Sequence, residues 1–393
     1  MRVVGVIAEY NPFHLGHAHH LAEARRLSGA DAVVVVMSSV FTQRGDAAIL
    51  SPRVRAQMAL SAGADAVFAL PAAWAVRDAE HFALGGVALL AGLGCDAISF
   101  GTEVADLALL KESARLLEQP DDRFQQAVQD HMALGIPYPA AVSSAMESAL
   151  PGYGALLENP NSTLAVCYLR AMLRLNTRMD VVPVQRVGGY HDSSLGGSLP
   201  SATALRGAIL RGDWAKVQAA MPADAYALLR HEAALEHIHR PEALDTALLY
   251  RLRTMSSEDF AALPDLSEGV ENRLQSAAES ARSREALLQG AKTRRYPYAR
   301  LSRLATHALL GFTDASLQNE PLPTAAWLLG FRRDSRELFA HFKARGTLPI
   351  LGKASNCDRT SPWIAAELRA YDIWALGAGL PAGLALTQGV VTL

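Results

Sequence analysis

The first hundred residues alternate between short apolar runs and segments with helical spacing. The apolar runs are rich in Val, Ile, Phe and Ala and lie at residues 3–7, 32–37, 66–70 and 97–100. Between them, apolar residues recur at helical intervals over residues 19–27, 54–62 and 81–92. Strands that are apolar throughout are buried on both faces, which is typical of a parallel sheet between helical layers. The pattern therefore predicts an α/β fold with a Rossmann-like, doubly wound parallel sheet.

Helical patterns dominate the rest of the chain. They cover residues 107–117, 123–134, 140–150 and 163–175, before one more strand pattern at 181–187 and a helix at 202–210. Beyond Trp214 the chain is mainly helical, with breaks at prolines. We predict two domains: a catalytic domain at residues 1–215, with a helical insertion at about 105–178, and a mainly helical domain at residues 216–393.

The segment after the first strand contains the pattern His14-x-Gly16-His17. Ligands of doubly wound sheets bind beyond the carboxyl ends of the strands, where glycine and the start of a helix favour phosphate. Two imidazoles at this position can stabilise charge that develops on phosphate oxygens during adenylyl transfer. The alternative is a turn with a helix cap and two surface histidines. His19 and His20 extend the cluster, but no acidic residue stands at ligand spacing, so we predict no metal site.

Hydroxyls at the start of a later predicted helix supply a second candidate phosphate contact. Ser201 and Thr203 can hydrogen-bond phosphate there, and Arg206 follows one turn later. By itself this is also the pattern of an N-cap followed by a solvated arginine. Together with His14-x-Gly16-His17, it resembles the paired motifs of class I-like adenylyltransferases.

Two further candidates lie at the same predicted edge of the sheet. Arg44 follows the second strand and is a candidate contact for pyrophosphate or an acid substrate. Alternatively, Arg44 forms a surface salt bridge with Asp46. Gly101 ends the fourth strand, where it either lets a nucleobase or ribose lie against the backbone or permits a tight turn.

Composition excludes several classes of protein. Half of the residues are apolar and 19% are charged, so the chain is not intrinsically disordered. Three cysteines that lie far apart exclude a disulfide scaffold and a cysteine-built metal site, and they fit a reducing, cytoplasmic location. No apolar run is long enough to span a membrane, so we expect no membrane association.

Charge is nearly balanced overall but unequal along the chain. Residues 1–192 hold 14 basic and 19 acidic side chains, whereas residues 193–393 hold 23 and 20. Basic and aromatic residues interleave most densely at 292–303, and the candidates for RNA binding there are Lys292, Arg294, Arg295, Tyr296, Tyr298, Arg300 and Arg303. Basic groups pair with phosphates and aromatic rings stack on unpaired bases. The alternative is an ordinary helix start with solvated charges and buried tyrosines.

The segment from Val4 to His17 closely resembles the start of the bacterial tRNA(Met) cytidine acetate ligase family, a HIGH-type nucleotidyltransferase family. Further segments match in order, at residues 43–45, 58–65, 100–103, 160–161, 186–192, 201–206 and, in the second half, 295–303. The chain departs from the usual family residues at three positions. The family usually has Glu, Asn and Ser where this chain has Ala69, Ser162 and Pro200.

The resemblance implies an ATP-dependent ligase. Such an enzyme activates acetate as acetyl-adenylate and transfers the acetyl group to the N4 amine of the wobble cytidine in elongator tRNA(Met), which gives N4-acetylcytidine. We expect His14, His17 and Arg206 to be catalytic, with Ser201 and Thr203 beside the phosphates. The family's ATP site maps onto Ile7, Ala8, Glu9, Tyr10, Asn11, Pro12, Phe13, His14, Leu15, Gly16, His17, Ala18, His19, His20, Gly101, Asn161 and Arg186. Magnesium on the phosphates is expected from ATP chemistry, and no obligate protein partner is evident.

Two other functions remain open from the residues alone. One is a small-molecule adenylyltransferase of the same motif class, although such an enzyme leaves the long helical region without a use. The other is a non-catalytic RNA-binding protein that has kept a nucleotide fold, although the intact His14, Gly16, His17 and Arg206 argue against it.

Overall fold

A computed structural model of the chain describes residues 1–104, 106–185, 201–266, 269–293, 295–319, 321–352 and 358–393. Arg186 and Arg294, which are predicted site residues, lie outside the described residues, as does the third cysteine, Cys357. The other two cysteines, Cys95 and Cys167, are buried and not joined by a disulfide.

The described strands form one mixed sheet. Their bounds are β1 Val3–Ala8, β2 Ala32–Ser38, β3 Ala66–Leu70, β4 Ala97–Thr102, β5 Asp180–Gln185, β6 Ala326–Phe331, β7 Ile350–Leu351 and β8 Val391–Thr392. The order is β5-β4-β1-β2-β3-β6-β7, with β8 paired to β6. The first five strands are mutually parallel, and the chain reverses its direction of travel across the sheet between β1 and β4. The predicted doubly wound parallel sheet is confirmed, and the ligand crevice of such sheets lies at this reversal.

Helices surround the sheet and extend beyond it. Their bounds are α1 Leu15–Ser28, α2 Pro52–Ser61, α3 Ala72–Ala75, α4 Ala79–Gly92, α5 Leu107–Glu118, α6 Asp122–Ala133, α7 Tyr138–Ala149, α8 Tyr153–Leu157, α9 Pro160–Arg174, α10 Ala202–Arg211, α11 Trp214–Ala220, α12 Ala223–Ala234, a 3-10 helix Pro241–Leu244, α13 Asp245–Thr254, α14 Ser257–Ala261, α15 Val270–Ser280, α16 Arg284–Ala291, α17 Tyr298–Leu310, α18 Asp314–Gln318, α19 Arg336–Arg345, α20 Pro362–Gly377 and α21 Leu384–Thr387. Five of them, α5 to α9, lie between β4 and β5.

Close packing between α4 and the first strand depends on glycine. A Cβ atom on Gly5 of β1 would lie 2.4 Å from a methyl carbon of Leu90, and one on Gly86 would lie 2.7 Å from Ile7. Both distances are shorter than side chains tolerate, so the strand and the helix could not approach this closely with larger residues. The first strand is thereby held under α4, which positions the loop that leaves its carboxyl end.

The C-terminal half contributes strands as well as helices. Strand β6 pairs antiparallel with β3, with Ala66 opposite Phe331, and it carries β7 and β8. These three strands, absent from the prediction of a mainly helical second region, extend the parallel sheet. Helices α13 to α17 instead enclose a separate apolar core, which includes Leu252, Leu274 and Leu304.

Candidate active site

The loop after β1 is built around buried aromatic rings. Tyr10 is 1% exposed, and its ring lies 4.7 Å from the ring of His17 and 4.8 Å from that of Phe13, measured between centroids. The Asn11 side chain accepts a hydrogen bond of 2.9 Å from the backbone N–H of Ile49. The loop is therefore anchored on both sides before it enters α1.

The two motif histidines cap α1 through their Nδ1 atoms. The N–H of Gly16 donates to Nδ1 of His14 at 3.1 Å, and the N–H of His14 donates to Nδ1 of His17 at 3.2 Å. These bonds form a capping box in which both capping side chains are imidazoles. The helix cap that was predicted as the alternative is therefore present. Capping also brings the two imidazole rings into contact.

Capping selects one tautomer of each ring. A neutral imidazole that accepts a hydrogen bond at Nδ1 carries its proton at Nε2. Both His14 and His17 are therefore oriented with an Nε2–H donor, on rings that stack with centroids 3.7 Å apart. Two donors side by side at the start of a helix suit oxygen atoms that gain negative charge.

Glycine at position 16 leaves space for the His14 ring, in addition to the space that it leaves for a ligand to approach the backbone. A Cβ atom at position 16 would lie 2.9 Å from Cε1 and 3.1 Å from Nδ1 of His14. Any larger residue would push the imidazole away from the amide that it caps. The conformational role of this glycine follows from ring packing, which the sequence pattern does not reveal.

Arg206 joins the second motif to the first. Its Nη1 donates to the carbonyl of Asn11 at 2.8 Å, and its Nη2 donates to the hydroxyl of Thr203 at 3.1 Å. Ser201 caps α10 by accepting from the N–H of Ala204 at 3.2 Å. The structure therefore brings together the two motifs, which are 184 or more positions apart in the chain.

Glu9 lies at the exit of β1, between several charged groups. One of its carboxylate oxygens accepts a hydrogen bond of 2.7 Å from the backbone N–H of Gln43. Burial raises the pKa of Glu9 above its ordinary value, while the Gln43 bond and the charge of Arg206 act in the opposite direction. The loop that carries Arg44 is thereby tied to the candidate nucleotide loop.

Arg55 is a structural member of the site that sequence analysis missed. It is fully buried on α2, where it donates to the carbonyls of Glu9 at 2.7 Å and Ser38 at 2.9 Å, and also to those of Leu50 and Ser39. Burial lowers the pKa of its guanidinium to about 10, so it stays protonated at neutral pH. One side chain thus ties the ends of β1 and β2 together. The feature of the sequence that could have indicated this role is the presence of an arginine among the apolar residues of α2.

Asn161 and Gly101 occupy a neighbouring part of the same edge. Helix α9 begins at Pro160, three residues before the predicted helical pattern at 163, so Asn161 lies in the first turn of the helix. The carboxylate of Glu103 accepts from the Asn161 side chain and, at 3.0 Å, from the N–H of Ser162. Gly101 is within β4, opposite Val184 of β5, so it lies in the sheet and not in a tight turn.

The other predicted ATP-site residues divide by exposure. Ile7, Pro12 and Phe13 are buried, Ala8 and Ala18 are partly buried, and Leu15 and His19 are exposed. His20 lies within 3.1 Å of the buried Ser99 hydroxyl in β4, measured from Nε2 to Oγ. The second pair of histidines therefore differs from His14 and His17: neither is part of the capping box.

The loop at residues 41–47 packs onto the helical region. Asp46 pairs with Arg284 at 3.1 Å, and the carbonyl of Gly45 accepts from the Thr306 hydroxyl at 2.6 Å. Arg44 is exposed, and its carbonyl accepts from the hydroxyl of Ser302 in α17. The predicted alternative partner of Arg44, Asp46, is thus engaged by a different arginine.

Among the described residues of the candidate RNA-binding segment, two cations are exposed and the other side chains are buried or bonded within the protein. Lys292 and Arg295 are exposed. Tyr296 is 5% exposed and belongs to the core of α13 to α17, so its ring is not on the surface. Tyr298 donates to Glu285 and Arg300 donates to the carbonyl of Asp265 at 2.6 Å, while Arg303 is partly buried.

The described part of the chain contains neither a metal cluster nor a membrane span. No group of three or more His, Cys, Asp or Glu side chains there is placed to hold a metal ion. Among the same residues, no helix combines the length and the apolar character that crossing a bilayer requires.

Comparison with known proteins places this geometry in a family. The model of the HIGH nucleotidyl transferase family matches residues 1–381. The tRNA(Met) cytidine acetate ligase of Geobacillus sp. strain WCH70 is 35% identical over 362 residues, which are 91% of this chain and 90% of that protein. The chain belongs to the tRNA(Met) cytidine acetate ligase family. The Acetivibrio thermocellus protein of the same name is 32% identical, with all of both chains aligned.

A solved structure agrees with this membership. The crystal structure of Thermotoga maritima TmcAL bound with alpha-thio ATP superimposes on the whole of this chain with a TM-score of 0.92 and 27% sequence identity. The apo form of that protein also gives a TM-score of 0.92, at 28% identity. The predicted family and the predicted HIGH nucleotidyltransferase fold are therefore confirmed.

Proposed function

We propose that this protein is an ATP-dependent ligase that joins acetate to the N4 amine of the wobble cytidine in elongator tRNA(Met). The observation that carries the proposal is the joined motif pair: His14 and His17 stack at the start of α1, and Arg206 bonds to the loop that leads into it. Relatives aligned over most of their length carry the name tRNA(Met) cytidine acetate ligase, and Thermotoga maritima TmcAL binds alpha-thio ATP.

The first step activates acetate. A carboxylate oxygen of acetate attacks the α-phosphorus of ATP, the bond to the bridging oxygen breaks, and pyrophosphate leaves. Negative charge grows on the phosphate oxygens during this displacement, and the Nε2–H groups of His14 and His17 are suited to stabilise it. Arg206, with Ser201 and Thr203, holds the outer phosphates in this proposal.

The second step forms the amide. The N4 amine of cytidine attacks the acetyl carbon, AMP leaves, and the amine loses a proton. No covalent bond to the protein is needed. Asn161 and Arg186 are proposed to fix the nucleotide or the acid, and Gly101 to border the nucleoside.

Magnesium is proposed to enter with the nucleotide. The described residues provide no cluster of carboxylates and imidazoles for a resident ion, so the phosphates of ATP would supply its ligands. The ion would neutralise phosphate charge there. We place the reaction in the cytoplasm, in keeping with two buried thiols that remain unbridged.

Two departures from the usual family residues lie close to the proposed site. The hydroxyl of Ser162 lies 3.0 Å from that of Thr102 and accepts from the N–H of Val104 at 3.1 Å. The Ser162 hydroxyl also donates to the Glu103 carboxylate at 3.0 Å, so the serine bonds to the segment that follows β4. Ala69 is buried in β3, one residue before the carboxyl end of that strand.

Acetate-dependent exchange of labelled pyrophosphate into ATP tests the first step. We expect exchange with acetate and none without it. Exchange that requires a phosphorylated small molecule in place of acetate would favour a small-molecule adenylyltransferase. Failure to exchange with either substrate would favour a non-catalytic RNA-binding protein.

A further inference from the structure

Two arginines lie near enough for one to lower the pKa of the other where the nucleotide-binding sheet contacts the helical region. Arg77 lies between α3 and α4, at the carboxyl edge of the sheet, and Arg303 lies on α17. The helices are fastened at this point by His307 of α17, whose Nε2 donates to the carbonyl of Val76 at 2.6 Å. The junction is therefore fixed, and the positions of both arginines with it.

In both guanidinium groups the Nε atom is buried without a hydrogen-bond partner among the described residues. Arg77 is 8% exposed, and its Nε has no hydrogen-bond partner among the described residues. Its closest charge is the Asp265 carboxylate, 4.0 Å from Nε, which is too long for a hydrogen bond. The Nε of Arg303 is also buried and without a partner in the described part of the chain, as is Oδ2 of Asp265.

Positive charge exceeds negative charge around this point. Three arginines, Arg77, Arg300 and Arg303, are within electrostatic reach of two carboxylates, those of Asp78 and Asp265. Burial lowers the pKa of His307 to about 4, so this imidazole is neutral. Asp78 is also engaged elsewhere, because it caps α4 and contacts the ring of His81 at 2.8 Å.

A buried cation without an acceptor destabilises a fold, so such a group needs an explanation. Arg303 has its pKa lowered by burial, which means that the surroundings favour loss of its charge. An anion with several oxygen atoms would supply the missing acceptors. The planar guanidinium groups of two arginines match a phosphate in both charge and geometry.

The junction is connected to the candidate active site. The Gln43 side chain donates to the carbonyl of Arg77 at 2.7 Å, and the Gln43 backbone donates to Glu9 at the same distance. On α17, Ser302 and Thr306 lie one residue before and three residues after Arg303, and they bond to the carbonyls of Arg44 and Gly45. A phosphate bound at the junction would lie next to the loop that borders Glu9.

We propose that Arg77 and Arg303 together bind a backbone phosphate of the tRNA substrate; this inference rests on the proposed function. Lys292 and Arg295 are exposed on the same helical region. In this proposal one phosphate contacts both Arg77, at the carboxyl edge of the sheet, and Arg303, on α17. The RNA then lies across the boundary between the sheet and the helices.

Binding of tRNA as a function of salt concentration tests the assignment. We would measure the Kd of unmodified elongator tRNA(Met) over a salt series, without ATP or acetate, for the wild type, Arg77→Gln and Arg303→Gln. Each variant should bind about tenfold more weakly. Loss of one phosphate contact should reduce the slope of log affinity against log salt by about 0.7 to 0.9.

The matched control is Arg336→Gln. Arg336 is exposed at the start of α19, next to Ser335, which bonds to Asp65 at the amino end of β3. This variant removes the same charge from the opposite edge of the sheet, so its affinity and slope should equal those of the wild type. An equal loss in the control would assign the effect to net charge and overturn the site.

Thermal unfolding separates a binding role from a structural one. Because the Nε of Arg303 has no acceptor, Arg303→Gln should melt close to the temperature of the wild type, whereas Arg77→Gln also removes the cation nearest to the buried Asp265 carboxylate and should melt at a lower temperature. If either variant fails to fold, Arg77→Lys and Arg303→Lys replace them, and these should retain the salt slope but lose affinity. Lower stability together with an unchanged slope would overturn the proposal.

The phosphate could also come from the nucleotide, and acetate-dependent exchange distinguishes the two sources. A raised KM for ATP with unchanged tRNA binding would assign the arginines to ATP and overturn the RNA site. Absence of acetate-dependent exchange in the wild type would refute the proposed function, while the tRNA measurement would still report on the two arginines.

Discussion

The imidazoles of His14 and His17 stack with their centroids 3.7 Å apart while each accepts a backbone N–H at Nδ1. One arrangement thus performs two tasks. It completes the first turn of α1, and it orients two Nε2–H donors side by side. Capping and the proposed catalysis depend on the same side chains, so substitutions must be chosen to separate them.

Replacement of His14 by asparagine should separate the cap from the donor. Asparagine caps helices well, so His14→Asn should unfold close to the wild type, whereas His14→Ala should lose about 1 kcal/mol of stability. Both variants lack the Nε2–H donor, and both should lose acetate-dependent pyrophosphate exchange by about 10²–10³-fold. Exchange at the wild-type rate in His14→Asn would show that only the cap matters.

Gly16→Ala should impair activity with little loss of stability. The added methyl group meets the His14 ring at 2.9 Å, so the ring must move, while alanine itself favours the helix. We expect pyrophosphate exchange at least tenfold below the wild type and a nearly unchanged melting temperature. Gly389→Ala is the control, since a methyl group added there would have no other atom within 4 Å. Equal activity in both variants would contradict the packing argument.

Arg55→Met should be severely destabilising. The arginine satisfies carbonyls at the ends of β1 and β2 and before α2, and methionine fills similar space but donates no hydrogen bond. Each carbonyl left buried and unpaired costs about 1–3 kcal/mol. We expect a loss of at least about 3 kcal/mol in urea unfolding. A loss below about 1 kcal/mol would mean that water replaces the guanidinium.

Glu367 should make stability depend on pH. Burial raises the pKa of this α20 carboxyl from 4.5 to about 7, against the bond of 2.6 Å that it accepts from the N–H of Ala72. The folded state therefore holds an extra proton between these values, and stability falls as pH rises through that window. The total is on the order of 3 kcal/mol.

The variant Glu367→Gln isolates this contribution. Its amide cannot ionise, so the difference in unfolding free energy between variant and wild type should grow in favour of the variant from pH 4.5 to 7. Urea unfolding at a series of pH values measures it. Parallel pH profiles for the two proteins would show that Glu367 titrates normally.

Sequence pattern was sufficient for the five parallel strands because each contains a local apolar run, and β1 to β4 are buried along almost their whole length. Strand β2, for example, is buried at all seven positions. Strand β6 was missed because its pairing with β3 joins segments more than 250 residues apart, and its partners β7 and β8 have only two residues each. Such pairing depends on tertiary contacts that no short window contains.

The site shows the same division between local and distant information. The His14-x-Gly16-His17 pattern and Arg206 were recognisable because their chemistry lies in residue type and spacing. Arg55 and Arg77 could not be recognised from the sequence. Both are buried, and the first matters because it bonds to several carbonyls, the second because its Nε has no hydrogen-bond partner among the described residues. The stacking role of Tyr296 was expected from an aromatic among basic residues, but the ring contributes to the core instead.

Transfer of labelled acetate to tRNA tests the central claim most directly. Purified protein would be incubated with ATP, labelled acetate and unmodified elongator tRNA(Met), and the modified nucleoside located by nuclease digestion and mass spectrometry. The account predicts ATP-dependent label at N4 of the wobble cytidine, with His17→Ala folded but at least about 10²-fold slower. Absence of label in the tRNA, or equal labelling by His17→Ala, would contradict it.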